Sequence, residues 1–109
     1  HTTELDTIYA RGVELLQKRK YAKALYILND YNDRNTVVAH LSLDHNVRAL
    51  ELLASMSKDA VTEYLRAIAC SRLGRKAEGR EHFLEACRLD GRMEYRGNLD
   101  PEIAELLKQ

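Results

Sequence analysis

The stretch LGRKAEGREHFLEACRLDG, residues 73–91, decides the fold of this chain of 109 residues. Gly74 stands directly after the last apolar position of one helix pattern, the usual place of a glycine that closes a helix. A further helix is predicted from about Arg75 to Leu89, and in it the small residue Gly79 precedes the bulky Phe83 by four positions. A small residue there lets two neighbouring helices approach closely. The stretch therefore predicts a tight turn followed by the second member of a packed helix pair.

Apolar residues at helical spacing extend this pattern in both directions. The first three predicted helices cover about Thr3 to Lys18, residues 21–28 and about 36–43. A fourth helix follows Asp44, carries apolar residues from Val47 to Met56 and is broken at residues 55–58, and a fifth runs from Ser57 or Asp59 to Leu73. The last two cover about residues 75–89 and 100–108. The candidate N-caps are Asp33 or Asn35, Asp44, Ser57 or Asp59, and Asp100, which Pro101 follows. No segment alternates with the period of two that is typical of strands. The sequence predicts an all-α chain of seven helices, in which short links make neighbours antiparallel.

A small residue four positions before a bulky apolar one recurs along the chain. The three occurrences are Ala24-x3-Leu28, Ala49-x3-Leu53 and Gly79-x3-Phe83, and their first residues lie 25 and 30 positions apart. A single helix pair cannot bury its own apolar face, so repeated pairs stack into one continuous core with a polar cap at the end. The recurrence therefore predicts a stacked helical array.

These residues resemble the tetratricopeptide repeat family. Gly79-x3-Phe83 matches the small and bulky positions of the family's second helix, and Ala67 keeps the small position of its first helix. Gly91 stands where the family has proline, and the spacing is shorter than the family's ~34 residues. The resemblance implies a right-handed superhelix, or α-α solenoid, of three antiparallel helix pairs plus a C-terminal capping helix.

The implied organisation is a single tetratricopeptide-like domain over residues 1–109. Its repeats cover about residues 5–31, 33–56 and 58–91, and its capping helix covers about 100–108. The stretch 88–102 also resembles the tetratricopeptide tails of bacterial cell-envelope proteins. That likeness implies the periplasm or the cell envelope, and without it the cytoplasm is the expectation. His1 predicts a tag remnant on an excised fragment, so no targeting segment can be inferred from this terminus.

Composition disfavours several classes of partner. Seventeen Lys+Arg balance seventeen Asp+Glu, whereas a general nucleic-acid binder carries a basic excess. No segment approaches the ~20 apolar residues that span a bilayer. We therefore expect no nucleic-acid partner and no direct membrane insertion. Two cysteines make no disulfide framework, and Cys70 and Cys87 are expected to stay reduced on different sides of their hairpin.

The histidines are the main candidates for chemistry. His40 and His45 lack a further ligand at helical spacing, which disfavours zinc and favours a half-buried His40. His82 stands with Glu78 and Glu85 on one predicted helix face, a pattern more typical of a solvated, salt-bridged surface than of a general base. No phosphate-binding loop or nucleophile–base set is present in the sequence. We expect no enzymatic activity, no cofactor and no metal.

The resemblance implies a concave groove that binds a peptide or a partner protein. Its groove positions are Tyr9, Val13, Leu16 and Gln17 in the first repeat, Arg34, Val38, Leu41 and Ser42 in the second, and Tyr64, Ile68, Ser71 and Arg72 in the third. Tyr9 and Tyr64 are expected to be partly exposed, with Arg72 near Tyr64 to receive an acidic or carboxylate end. Val13 and Val38 replace the asparagine of the family's carboxylate clamp, which argues against that specific function.

Two alternatives remain open at this point. The third pair and its tail are rich in cations, which indicates either a solvated face or a dock for an acidic peptide. These cations are Arg72, Arg75, Lys76, Arg80, Arg88, Arg92 and Arg96. The whole chain is also compatible with a structural spacer or assembly domain, its groove filled by other domains of its parent chain or by a second copy.

Overall fold

The computed structural model describes residues 4–108, apart from the side chain of Leu5, and these residues form eight α-helices and no strand. The helices are α1 Glu4–Gln17, α2 Tyr21–Leu28, α3 Arg34–Ser42, α4 Asn46–Ala54, α5 Ala60–Arg72, α6 Lys76–Leu89, α7 Arg92–Asn98 and α8 Pro101–Leu107. The all-α prediction is confirmed. The predicted helix start at Thr3, the place of Leu5 on the apolar face, and His1 lie outside the described residues.

Local signals placed most helix ends correctly. Asp33 caps α3 by accepting a hydrogen bond from the Thr36 N–H, so Asp33 and not Asn35 is the cap. Asp59 caps α5 in a capping box with Thr62. Asp100 caps α8, with Pro101 at its first position. Gly74 follows the end of α5 with a φ of 76°, a left-handed conformation that glycine adopts without strain.

Two local predictions are wrong. Asp44 was expected at the capping position of α4, but α4 begins at Asn46, which puts His45 at that position; Asp44 has a φ of 63° and lies in the turn after α3. The segment between Gly91 and Asp100 is not a plain connection, because it contains α7. The described residues therefore hold one helix more than predicted. With seven residues and few apolar side chains, α7 is too short to show helical periodicity.

The chain divides into two compact units, and the boundary falls inside α4, between Leu52 and Leu53. In the first unit α1 and α2 form a helix pair, and α3 packs against α2. The buried residues between these helices are Leu15, Ala24 and Leu28. A Cβ added at Gly12 would lie 2.8 Å from Leu28 Cδ2, so this close helix contact needs a glycine.

In the second unit α5 and α6 form the main pair, α8 packs against both, and α7 packs against α6 and α8. The core consists of side chains from all four helices: Tyr64, Ala67, Ile68, Phe83, Ala86, Met93, Ile103 and Leu106. A Cβ added at Gly79 would lie 3.3 Å from Cys70 Cβ on α5 and 2.5 Å from Leu106 Cδ2 on α8. Gly79 thus faces its partner helix, as predicted, and also admits α8.

Candidate functional site

Tyr9 in the first unit ties α1 to the beginning of α3. Its hydroxyl donates a hydrogen bond to Asp33, the N-cap of α3, and accepts one from Asn35 Nδ2 at 2.7 Å. The Tyr9 ring contacts the ring of Tyr31, with centroids 4.8 Å apart. Burial and the bond to Asp33 raise the pKa of Tyr9. Burial of Asp33 opposes its ionisation, but hydrogen bonds from Tyr9 and Thr36 outweigh it and lower the pKa of Asp33.

Tyr64 makes the corresponding connection in the second unit. Its hydroxyl donates to Asp100 Oδ2 at 2.7 Å, and Asp100 is the N-cap of α8. The guanidinium of Arg96, from α7, lies 4.2 Å from the centroid of the Tyr64 ring. Phe83 contacts the same ring edge-on, at 6.2 Å between centroids. Only 1% of Tyr64 is exposed, and burial and the bond to Asp100 raise its pKa.

The expected partial exposure of Tyr64 is therefore wrong, because α8 packs against α5. Tyr64 and Ile68 are buried in the core instead of lining an open surface. The Ser71 hydroxyl donates to the Glu102 carbonyl at 2.9 Å. Arg72 Nε donates to Glu102 Oε1 at 2.7 Å, so its guanidinium already has a carboxylate partner. These contacts connect α5 to α8, and Arg72 remains exposed beside them.

The predicted positions in α1 and α3 are more accessible. Tyr9, Val13 and Val38 are half-buried, whereas Gln17, Arg34 and Ser42 are exposed. Leu16 is half-buried and Leu41 is buried. The structure thus leaves solvent-accessible side chains at most of the predicted positions of the first unit.

The cations of the third pair are largely partnered by acids and carbonyls. Lys76 lies 3.5 Å from Glu105, which also pairs with Lys108 at 3.0 Å. Arg80 donates to the Leu106 carbonyl at 3.1 Å. A cleft of about 510 Å³ opens between Lys76, Arg80, Leu107 and Lys108. In this cleft Lys76 and Lys108 are thus paired with a carboxylate, whereas Arg80 is bonded to a neutral carbonyl oxygen.

A surface that the sequence reasoning missed lies at the end of α2. Tyr26 is 89% exposed and borders a cleft of about 630 Å³. That cleft is lined by Ala22, Leu25, Tyr26, Asn29, Asp30, Leu43 and His45. A second cleft of about 320 Å³ is lined by Ile8, Ile27, Asp30 and Tyr31. Asp30 lines both clefts, and the residues of the two clefts together are called the Asp30 surface below.

The exposure of Tyr26 could have been predicted from its position in the sequence of α2. The predicted apolar face of α2 comprised Tyr21, Ala24, Leu25 and Leu28. Tyr26 lies outside that set and points to solvent. Tyrosine is enriched in protein interfaces relative to the rest of the surface.

His82 belongs to a buried charged cluster and not to the predicted solvated face. Its Nδ1 lies 2.5 Å from Glu63 Oε2, and Glu63 Oε1 accepts from Arg66 Nη1 at 2.6 Å. Arg66 also donates to the carbonyls of Leu53 and Met56. Glu63 is 2% exposed, which leaves no room for a substrate at its carboxylate. Through these bonds the cluster anchors the segment before α5.

Glu85, which was predicted to share the His82 face, pairs elsewhere. Lys58 Nζ donates to its Oε2 at 3.0 Å, and Arg88 binds both of its oxygens. Hydrogen bonds from Arg88 and Lys58 lower the pKa of Glu85 to about 2. Glu85 thus connects the segment before α5 to α6 through an exposed ion pair.

The remaining candidates for chemistry are the other histidines and the two cysteines. His40 and His45 have their Nδ1 atoms 3.1 Å apart, and His40 is buried, which is deeper than predicted. Burial, then His45 and Arg48, lower the pKa of His40. Among residues 4–108 no group of three potential ligands could hold a metal ion. Cys70 and Cys87 are free thiols, and burial raises the pKa of both.

No family model matches this chain, and no curated protein or solved structure matches it. Within residues 4–108, none of the helices combines the length and apolar character that crossing a membrane requires.

Proposed function

We propose that this chain is a non-catalytic protein-interaction module of the tetratricopeptide-like class, which binds a peptide or an extended segment of a partner protein. The observation that carries the proposal is the Asp30 surface, where two clefts with apolar side chains adjoin Asp30 and the exposed Tyr26 ring borders one of them. Peptide-binding surfaces combine apolar pockets and aromatic rings with a few polar groups in this way. The binding site of this proposal lies in the first unit.

The tetratricopeptide-like part of the proposal is supported by internal correspondence. Tyr9 and Tyr64 each precede a small residue by 15 positions and a buried bulky residue by 19. The small residues are Ala24 and Gly79, and the bulky ones are Leu28 and Phe83. Both tyrosines donate their hydroxyl to the N-cap aspartate of a later helix. Equivalent contacts at equivalent spacings are what a repeated structural unit produces.

A structural spacer or assembly domain, in the cell envelope if the resemblance to envelope tails holds, is the second candidate. One observation favours it: the face of α5 that would line a third-repeat groove already carries α8 of the same chain. A module that fills part of its own groove has less surface for partners. In this alternative the clefts of the first unit contact a second copy or another domain of a parent chain.

A peptide selection separates the candidates. A displayed library of random peptides is selected on the wild-type chain, and enriched peptides are then titrated against Tyr26→Ala and against Tyr95→Ala. Tyr95 is the matched control because it is 71% exposed and lies on α7 in the second unit. Loss of a central aromatic contact costs about 2 kcal/mol, so Tyr26→Ala should weaken binding more than tenfold. Tyr95→Ala should bind like the wild type.

Equal weakening by both substitutions would contradict the proposed site. Failure to enrich any peptide, together with self-association in sedimentation equilibrium that Tyr26→Ala abolishes, would favour the assembly alternative. Circular dichroism of each variant verifies that the helices are retained.

A further inference from the structure

We propose that the Asp30 surface recognises a basic segment, in which one lysine or arginine lies between two apolar side chains. This assignment rests on the proposed function and names the chemistry of its partner. Asp30 would bind the cation, and the clefts on either side of it would take the apolar neighbours.

The position of Asp30 is the first reason. It follows α2 directly and is exposed, and it lines the cleft beside Tyr26 as well as the cleft beside Tyr31. Leu25 and Leu43 provide apolar wall in the first cleft, and Ile8 and Ile27 provide it in the second. A carboxylate shared by two apolar clefts fits a ligand whose charge is flanked by apolar groups.

The state of the Asp30 carboxylate is the second reason. Within the described residues it makes no hydrogen bond or ion pair. Other acids of the first unit are engaged: Glu14 pairs with Arg11 and Lys18, and Asp33 accepts from Tyr9 and Thr36. An unpaired carboxylate beside apolar surface gains most from a partner cation, because binding would shield the ion pair from water.

The surrounding groups favour a cation over an anion. The side chains that line the two clefts include no lysine or arginine, and Asp30 is their one carboxylate. The Tyr26 ring adds a face over which an ammonium or guanidinium group can lie. Phosphate groups of nucleic acid would meet the carboxylate charge, so the complementary ligand is a basic peptide and not a polyanion.

The test uses peptides selected on the wild-type chain as the probe. Their sequences should share a lysine or arginine with an apolar residue on each side. Binding is then measured by fluorescence anisotropy at low and high salt to wild type, Asp30→Asn and Glu81→Gln. Glu81 is the matched control, an exposed carboxylate on α6 of the second unit. Asp30→Asn should weaken binding about fivefold and reduce its salt dependence, and Glu81→Gln should change neither.

A double-mutant cycle makes the assignment specific. Replacing the peptide lysine by norleucine should weaken binding to wild type to a similar degree, and Asp30→Asn should then cause no further loss. Two outcomes would overturn the inference while the proposed function stands. In the first, the selected peptides contain no lysine or arginine, yet their affinity still falls in Tyr26→Ala. In the second, basic peptides bind Asp30→Asn and the wild type with equal affinity. If no peptide is enriched at all, the peptide-binding function itself fails.

Discussion

Tyr9 and Tyr64 occupy the same position in two helix pairs, yet Tyr9 is half-buried and Tyr64 is fully buried. Each donates its hydroxyl to an N-cap aspartate, Tyr9 to Asp33 after 24 residues and Tyr64 to Asp100 after 36. The longer interval in the second unit contains α7. The guanidinium of Arg96, from α7, lies over the Tyr64 ring.

This comparison shows how an insertion between two equivalent contacts changes the surface. In the second unit α7 and α8 convert a would-be groove into core, because Met93, Ile103 and Leu106 join Tyr64 there. In the first unit Tyr9 keeps partial solvent access, and exposed apolar clefts remain next to α2. Tyr64 is therefore part of the core of the second unit, whereas the surface proposed to bind a partner lies in the first unit.

The largest expected difference is in the cost of deleting the two rings. Removal of a buried aromatic ring typically costs about 3–5 kcal/mol, so Tyr64→Ala should lower the free energy of unfolding by that amount. Tyr9→Ala should cost about 1–2 kcal/mol because its ring is half-exposed. Urea unfolding followed by circular dichroism measures both. If the two substitutions lowered the free energy of unfolding equally, α7 and α8 would not bury Tyr64 as described.

A second test concerns the glycine that admits α8. Gly79→Leu would place a side chain where a Cβ alone lies 2.5 Å from Leu106 Cδ2, and overpacking of this kind costs about 1–3 kcal/mol. Gly91→Leu is the control, because a Cβ there meets nothing within 4 Å. An unchanged free energy of unfolding for Gly79→Leu would contradict the packing of α8 on the α5/α6 pair.

The hydrogen bond between Tyr9 and Asp33 should make the free energy of unfolding depend on pH in the acidic range. The pKa of Asp33 in the folded protein is lowered from its ordinary value of 3.8. The ionised carboxylate therefore stabilises the fold fully at pH values above 3.8, and this stabilisation is lost as the pH falls through the lower folded-state pKa. Asp33→Asn keeps a good N-cap but removes the charge. It should cost about 1 kcal/mol at neutral pH. That deficit should shrink in acid. A deficit that is constant with pH would show that the charge of Asp33 does not matter.

The smallest effect is a difference in thiol reactivity within the second unit. Burial raises the pKa of both cysteines, but Cys70 is fully buried whereas Cys87 is half-buried. A colorimetric thiol reagent should therefore modify Cys87 before Cys70 in the native protein. Cys87→Ser should remove the faster phase. Loss of the slower phase instead would mean that the α5/α6 pair opens around Cys70.

Local sequence signals predicted the helices well, and long-range packing accounts for what they missed. Asp100-Pro101 and Gly74 act within a few residues of themselves, so the end of α5 and the beginning of α8 were predictable. Burial of Tyr64 depends on a helix whose capping aspartate lies 36 residues later, and no local pattern reports such a contact. The pairing of His82 with Glu63 was missed for the same reason, because the sequence offered nearer acids on the same helix.

The Asp30 surface could be predicted from the sequence only in part. The amphipathic pattern of α2 leaves Tyr26 off its apolar face, so its exposure follows from the sequence. The clefts on either side of Asp30 do not, because they combine side chains of α2 with Ile8 on α1 and with Leu43 beyond α3. Such clefts emerge only when the helices are packed.

Hydroxyl-radical footprinting of the tyrosines, read by mass spectrometry with and without a selected peptide, tests the central claim most directly. In the free protein Tyr26 and Tyr95 should be modified readily, Tyr9 slowly, and Tyr64 hardly at all. With the peptide, Tyr26 should become protected while Tyr95 keeps its rate and Tyr64 stays unmodified. Ready modification of Tyr64 in the free protein, or protection of Tyr95 with no change at Tyr26, would contradict a closed second unit and a binding surface on the first.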